Sequence, residues 1–104
     1  MELLKVKNES DCEELAIVDA HDEGEVAVGW MTCLEEVFEG VKSVKVLGHE
    51  VTLTGFDIEN DYSVFAICKS GKKTALVSIG SIVWPKLTKA QKIWLSAWNE
   101  RAGS

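Results

Sequence analysis

The spacing of apolar residues changes twice along this chain, and this change limits the fold more than any other feature of the sequence. Between Val26 and Phe38 apolar residues recur at steps of three and four, as on one face of an amphipathic helix. From Lys42 to Ile79 they alternate at every second position, as in half-buried strands. Helical spacing returns after Pro85. This order predicts an α+β fold, with helices on either side of a strand-rich middle.

Three helices are predicted, because a capping pattern precedes each helical stretch. In this pattern a Ser, Thr or Asp at the N-cap is followed three residues later by Glu or Gln. The three pairs are Ser10 with Glu13, Asp22 with Glu25, and Thr88 with Gln91. They predict a first helix from Asp11 to about Ala20, a second helix that Gly40 ends, and a carboxyl-terminal helix after Pro85.

The middle of the chain predicts four or five short antiparallel strands, rich in Val, Ile, Thr and aromatic residues and bounded by glycines. They span Lys42 to Leu47, Glu50 to Gly55, Tyr62 to Lys69 and Lys72 to Ile79, and Leu3 to Val6 is a candidate edge strand. Such short strands need covered edges, so we expect a small SH3-like barrel or a bent sheet with all three helices packed on it. With 104 residues, 46% of them apolar, the chain should form a single domain over residues 1–104.

The sequence also predicts a cytoplasmic location. No apolar stretch approaches the roughly 18 to 20 residues of a membrane span, and the first residues lack the basic-then-apolar layout of a signal peptide. The three cysteines, Cys12, Cys33 and Cys68, are widely spaced and form no CxxC pair. We therefore interpret them as reduced core residues.

Acidic residues are concentrated in the first part of the chain. Residues 1–40 contain twelve Asp or Glu and two Lys, whereas residues 41–104 contain five acids and nine Lys or Arg. An acidic surface repels nucleic-acid phosphates and anionic membranes, and it attracts cations or a basic partner. The plainer interpretation is a solvated face that keeps a small protein soluble.

Two groups of carboxylates are candidate metal ligands. The first group crowds the end of the second helix, where the helix dipole disfavours each negative charge by about 0.3–1 kcal/mol and a bound cation would reverse that penalty. The second group occupies alternate positions of an interstrand loop and offers the oxygen ligands that calcium prefers. The groups are Glu35, Glu36 and Glu39, and Asp57, Glu59 and Asp61. The alternatives are a tolerated solvent-exposed face and a plain polar turn.

Known catalytic and calcium-binding motifs do not match. Neither His21 nor His49 belongs to a nucleophile motif, and the chain has no HExxH, no GxSxG and no phosphate-binding loop. The acidic loop is not an EF-hand, because the sixth position from Asp57 is Tyr62 and the twelfth is Cys68. We expect no enzymatic activity.

The segment from Ile17 to Phe38, IVDAHDEGEVAVGWMTCLEEVF, resembles the helix-turn-helix segment of the cyanobacterial calcium-binding protein family. The matching positions are Asp19, Glu25, Gly29, Trp30, Leu34, Glu35 and Glu36. The likeness continues more loosely through EVTLTGF and the acidic loop DIEND to Ile82, about three quarters of the chain. It implies helices packed on a small barrel, and calcium binding through surface carboxylates.

The resemblance adds one residue, Asp19, to the candidate calcium ligands. It also supports Glu35, Glu36, Asp57, Glu59 and Asp61, whereas Glu39 rests on the helix-dipole argument alone. The segment GVKSVKV after the second helix is shorter and more basic than in the family, and Met31, Thr32 and Cys33 replace aromatic residues. Fewer ligands imply weaker binding.

The sequence therefore predicts a non-catalytic calcium-binding module, a buffer or a sensor. The alternative is a protein-interaction domain whose acidic helix face docks a basic partner without metal, or which self-associates. A nucleic-acid binder that uses Lys69, Lys72 and Lys73 is less well supported, because these lysines lie on one hairpin of an acidic protein. The sequence leaves the oligomeric state open.

Overall fold

The computed structural model describes residues 2–18 and 20–103, with side chains from Leu3 to Arg101 apart from Asp19. Within these ranges the chain forms three α-helices, five strands and two short 3₁₀-helices, at Glu2–Lys5 and Ile79–Ser81. The helices are α1 (Glu9–Ile17), α2 (Glu23–Val37) and α3 (Lys89–Gly103). The strands are β1 (Ser43–Val46), β2 (His49–Ile58), β3 (Val64–Ser70), β4 (Lys73–Val77) and β5 (Ile82–Val83). None of the described helices is long and apolar enough to cross a bilayer.

The predicted α+β class, with three helices on an antiparallel sheet, is confirmed. The five described strands form one sheet in the order β4-β3-β2-β1-β5, in which neighbouring strands are antiparallel. The sheet is open, with β4 and β5 at its edges, so a closed SH3-like barrel is not confirmed. The edge strand expected at Leu3 to Val6 is wrong, because that segment begins with a 3₁₀-helix whose Leu3 carbonyl accepts a 2.7 Å hydrogen bond from the Trp94 indole N–H.

The helix starts follow local side-chain chemistry. The Asp22 carboxylate accepts from the Glu25 backbone N–H at 2.8 Å, as the capping pattern predicts. The Glu25 carboxylate accepts at 3.1 Å from the N–H of His21, the residue before the N-cap, instead of from Asp22. Thr88 and Gln91 form the full reciprocal pair, at 3.0 and 3.2 Å. The first helix differs, because Asn8 is its N-cap.

The Asn8 side chain accepts from the Asp11 backbone N–H at 2.9 Å, so α1 begins before Ser10. The helix also ends earlier than predicted, at Ile17.

The core lies between the helices and one face of the sheet. Trp30 of α2 packs edge-on against two tryptophans of α3, with ring centroids 5.9 Å from Trp94 and 5.6 Å from Trp98. All three rings are buried, as are the free thiols of Cys12, Cys33 and Cys68. The interpretation of these cysteines as reduced core residues is confirmed.

The second half of β2 is the part of the sheet that faces α2. β1 pairs with β2 only up to Thr52, so the rest of that β2 edge is free for the helix. The pairing register is irregular between Leu53 and Gly55, and this irregularity bends the strand. The side chains of Leu53 and Phe56 are therefore both buried, although residues three apart in a regular strand point to opposite faces.

Candidate functional site

Helix α2 and the second half of β2 lie side by side and run in opposite directions. Near the end of α2, a Glu35 carboxylate oxygen lies 3.8 Å from where a β-carbon on Gly55 would be. Tyr62 comes after β2 in the chain, and at the start of α2 its ring lies 3.4 Å from where a β-carbon on Gly24 would be. Gly24 and Glu35 are eleven residues apart in the helix, which corresponds to about 16 Å along its axis.

A tight loop after β2 carries the acidic residues Glu59 and Asp61. The Glu59 N–H donates to the Ser63 carbonyl and the Tyr62 N–H donates to the Glu59 carbonyl, both at 2.9 Å. Tyr62 has φ of 64°, in the left-handed region that is unfavourable for a bulky residue. The packing of its ring on Gly24 accompanies this conformation and holds the loop against the α1–α2 turn.

Backbone N–H groups already hold two of the three predicted carboxylates of this region. The expected place of Asp57 in the loop is wrong, because β2 continues to Ile58 and Asp57 pairs with Phe65 in the sheet. Asp57 accepts from the Ile58 N–H at 2.8 Å, and Asp61 accepts from the Ser63 N–H at 3.1 Å. Hydrogen bonds from the side chain and backbone of Ser63 lower the pKa of Asp61 below its ordinary value. Asp61 is therefore ionised at neutral pH, and its side chain is exposed to solvent.

The acids at the end of α2 have a different environment from the one expected. Glu35 and Glu36 lie in the last turn, but the helix ends at Val37, so Glu39 lies beyond the helix and outside the dipole argument that was made for it. The amino-terminal end of α3 faces this region: the Gln91 amide donates to the Val37 carbonyl at 3.0 Å.

Glu36 and Glu39 share a surface depression with Lys42, Lys89 and Gln91. Two lysines and the positive end of the α3 dipole thus lie around the same depression as these acids. The sequence alone did not show that basic groups share this surface with the acids.

The structure does not gather all the predicted ligands in one place. Asp61 lies toward the start of α2, next to Tyr62, whereas Glu35, Glu36 and Glu39 lie toward its end. Asp57 lies in β2 between the two ends, two residues from Gly55. Calcium–oxygen distances of about 2.3–2.6 Å do not allow one ion to join Asp61 to the acids at the end of α2. Asp19 lies outside the described residues. Among the side chains that are described, no group of three or more His, Cys, Asp or Glu is close enough to hold a metal ion.

A groove beside the α1–α2 turn is the feature that sequence reasoning missed. It has a volume of about 580 Å³ and is lined by apolar residues with two acids: Val18, Ala20, Gly24, Val28, Gly29, Ile58, Tyr62, Asp22 and Glu25. The capping roles of Asp22 and Glu25 had explained these acids fully. Val28 was the one signal of this groove in the sequence, because it is apolar but lies outside the helical row of apolar residues in α2 that was expected to be buried.

Comparison with known proteins shows similarity of fold. No protein-family model matches the sequence, and no curated protein matches it. The crystal structure of Anabaena CcbP is similar, with a TM-score of 0.69 and 18% identity over 86% of this chain and 84% of that one. A structure described as a calcium binding protein in the calcium-binding form has a TM-score of 0.70 and 16% identity over 99% of this chain and 95% of that one. The resemblance predicted from the sequence is therefore confirmed at the level of the fold.

Proposed function

We propose that this protein is a non-catalytic module that binds calcium ions through surface carboxylates. The observation that carries the proposal is the match of its fold, over 99% of its length, to a structure described as a calcium-binding protein in its calcium-binding form. The exposed carboxylates of this chain are ligands of the kind that calcium prefers. Either a buffer or a sensor fits this proposal.

The loop end of the α2–β2 pair is the better of the two candidate sites. Asp57, Glu59 and Asp61 are exposed and belong to one short segment of the chain. The sequence resemblance adds the carboxylate of Asp19, which lies outside the described residues. At the other end, Lys42 and Lys89 accompany Glu36 and Glu39 and would compete with a cation. We therefore place the calcium ligands at the loop, and keep Glu35, Glu36 and Glu39 as the second candidate set.

The described carboxylates suit calcium in chemistry but are not yet gathered around one point. Binding would therefore draw the loop side chains together and relieve their mutual repulsion. Because such an ion binds the folded chain and not the unfolded one, it stabilises the fold by RT ln(1 + [Ca²⁺]/Kd), about 2.7 kcal/mol at one hundred times Kd. Binding and thermal stability should change together.

Calorimetric titration with calcium in low-salt buffer, with magnesium as the control ion, tests the proposal. We expect saturable heat with calcium, weaker or no heat with magnesium, and a rise in Tm with calcium concentration. Absence of both the heat and the Tm shift at millimolar calcium would refute calcium binding.

Two triple variants with the same charge change locate the site. One is Asp57→Asn with Glu59→Gln and Asp61→Asn, and the other is Glu35→Gln with Glu36→Gln and Glu39→Gln. Loss of calcium binding in the first alone supports the loop site, and loss in the second alone supports the helix-end site. An equal, modest weakening in both would mean that calcium is held only by the general negative field.

A further inference from the structure

We propose that the groove beside the α1–α2 turn is a docking site for a basic peptide segment that inserts a large apolar side chain. This interaction needs no calcium, and so it goes beyond the function proposed above. The occupant is specified by two properties of the groove, its exposed apolar wall and its acidic rim.

The apolar wall is unusually open for a small protein with a well-packed core. Val18 is 66% exposed, Tyr62 52% and Val28 50%, and these three side chains line the same groove. Its volume of about 580 Å³ lies within the usual range for binding clefts, about 300–1,000 Å³. Apolar side chains gathered in one concave, accessible place are typical of a binding surface, whereas single exposed ones are not.

Local contacts support the wall on the side of Tyr62 and the first turn of α2. Tyr62 holds its left-handed conformation against Gly24, and the capping pair of Asp22 and Glu25 fixes the first turn of α2. A groove with fixed walls loses little conformational entropy when a partner binds.

The rim is acidic and retains free acceptor oxygens. Asp22 and Glu25 line the groove, and the backbone N–H bonds described above use one oxygen of each carboxylate. Asp61, which directly precedes Tyr62 in the chain, adds an exposed carboxylate close to the groove. Among the described residues that line the groove, none is Lys or Arg.

The nearby cation Arg101 does not line this groove. It lines a neighbouring depression that shares Tyr62 with the groove, and its guanidinium lies 5.8 Å from the Trp30 ring centroid.

These two properties favour one class of partner. Lys or Arg residues on either side of a Leu, Ile or Phe would pair with the rim while the apolar side chain fills the groove. An acidic segment or a nucleic acid would be repelled, and a neutral apolar ligand would leave the rim carboxylates unpaired and partly desolvated.

The probe is a fluorescein-labelled 12-residue peptide of Leu and Lys at helical spacing, followed by fluorescence anisotropy in EDTA at low salt. Two matched peptides carry Glu or Gln in place of every Lys. We expect saturable binding of the Lys peptide, at least tenfold weaker binding of the Gln peptide, and no binding of the Glu peptide. Equal binding of the Lys and Gln peptides would overturn recognition by charge.

Matched variants locate the contact. Val28→Asn should weaken binding of the Lys peptide about tenfold, whereas Leu76→Asn, at a 40% exposed position on β4, should leave it unchanged. Glu59→Gln should weaken binding severalfold, and Glu39→Gln, at the far end of α2, should not. Unchanged affinity in Val28→Asn, with its Tm preserved, would refute the groove as the site.

Sedimentation of the wild type and Val28→Asn tests another occupant. If the wild type forms concentration-dependent dimers and Val28→Asn does not, a second copy of the chain fills the groove. This result would also overturn the proposal. All peptide measurements are made in EDTA, so a failure of calcium binding and a failure of peptide docking are distinguished.

Discussion

A β-carbon at Gly29 would lie 1.9 Å from the carbonyl oxygen of Ala16, well inside any possible contact. The backbones of α1 and α2 therefore touch at this crossing, and hydrogen is the only side chain that fits. Next to it, Trp30 enters the core between Trp94 and Trp98. The Gly-Trp pair in the sequence thus combines a close helix crossing with the largest core residue.

Gly29→Ala should destabilise the protein by about 1–3 kcal/mol, because α1 and α2 must move apart to accept one methyl group. Gly40→Ala is the matched control, since a β-carbon there meets nothing within 4 Å. Urea denaturation measures both. A loss of less than about 0.5 kcal/mol in Gly29→Ala would mean that the helices separate at little cost.

Sequence reasoning succeeded where the controlling interaction is local. The bond from the Glu25 N–H to Asp22 and the reciprocal bonds of Thr88 with Gln91 join residues three apart, so the spacing alone identified them. It failed at Ser10, because Asn8 offers an equally local cap two residues earlier.

Features that depend on residues far apart in the sequence could not be predicted from local spacing. Whether the sheet is open or closed depends on how strands pair across the chain, which alternation does not specify. The candidate site shows the same limit. The helix dipole alone left Glu36 without a structural explanation, and only the folded structure shows that Lys89 lines the same surface depression.

Leu47→Asn should stabilise the protein by about 1 kcal/mol. Leu47 is 91% exposed and has φ of 52°, at the first position of the two-residue β1–β2 turn. This conformation costs roughly 1–2 kcal/mol for most side chains, but Asn tolerates it well. Thermal unfolding provides the measurement. Leu47→Ala is the control, because it removes the same exposed side chain but retains the backbone strain, so an equal gain in both variants would contradict the explanation.

Burial of Cys12 should make the fold sensitive to alkaline pH. Burial, with smaller contributions from Asp11 and Glu9, raises the pKa of the Cys12 thiol from 9.0 to about 12. The unfolded chain therefore loses this proton first, so the contribution is complete below about pH 9 and falls as pH rises toward 12. Denaturation midpoints at pH 7, 9 and 10.5 measure the effect. Cys12→Ala should show a flatter dependence above pH 9, and an identical slope would refute the assignment to this thiol.

Glu36→Gln should leave the free energy of unfolding unchanged, although the helix dipole considered alone predicts a gain of about 0.3–1 kcal/mol. The reason is that Glu36 shares its depression with Lys89 and with the positive end of α3. A double-mutant cycle with Lys89→Met measures the coupling by urea denaturation. In the Lys89→Met background Glu36→Gln should become stabilising, because the carboxylate then lacks its compensating charge. A gain in the wild-type background would show that the lysine offsets nothing, and would return Glu36 to the first rank of candidate calcium ligands.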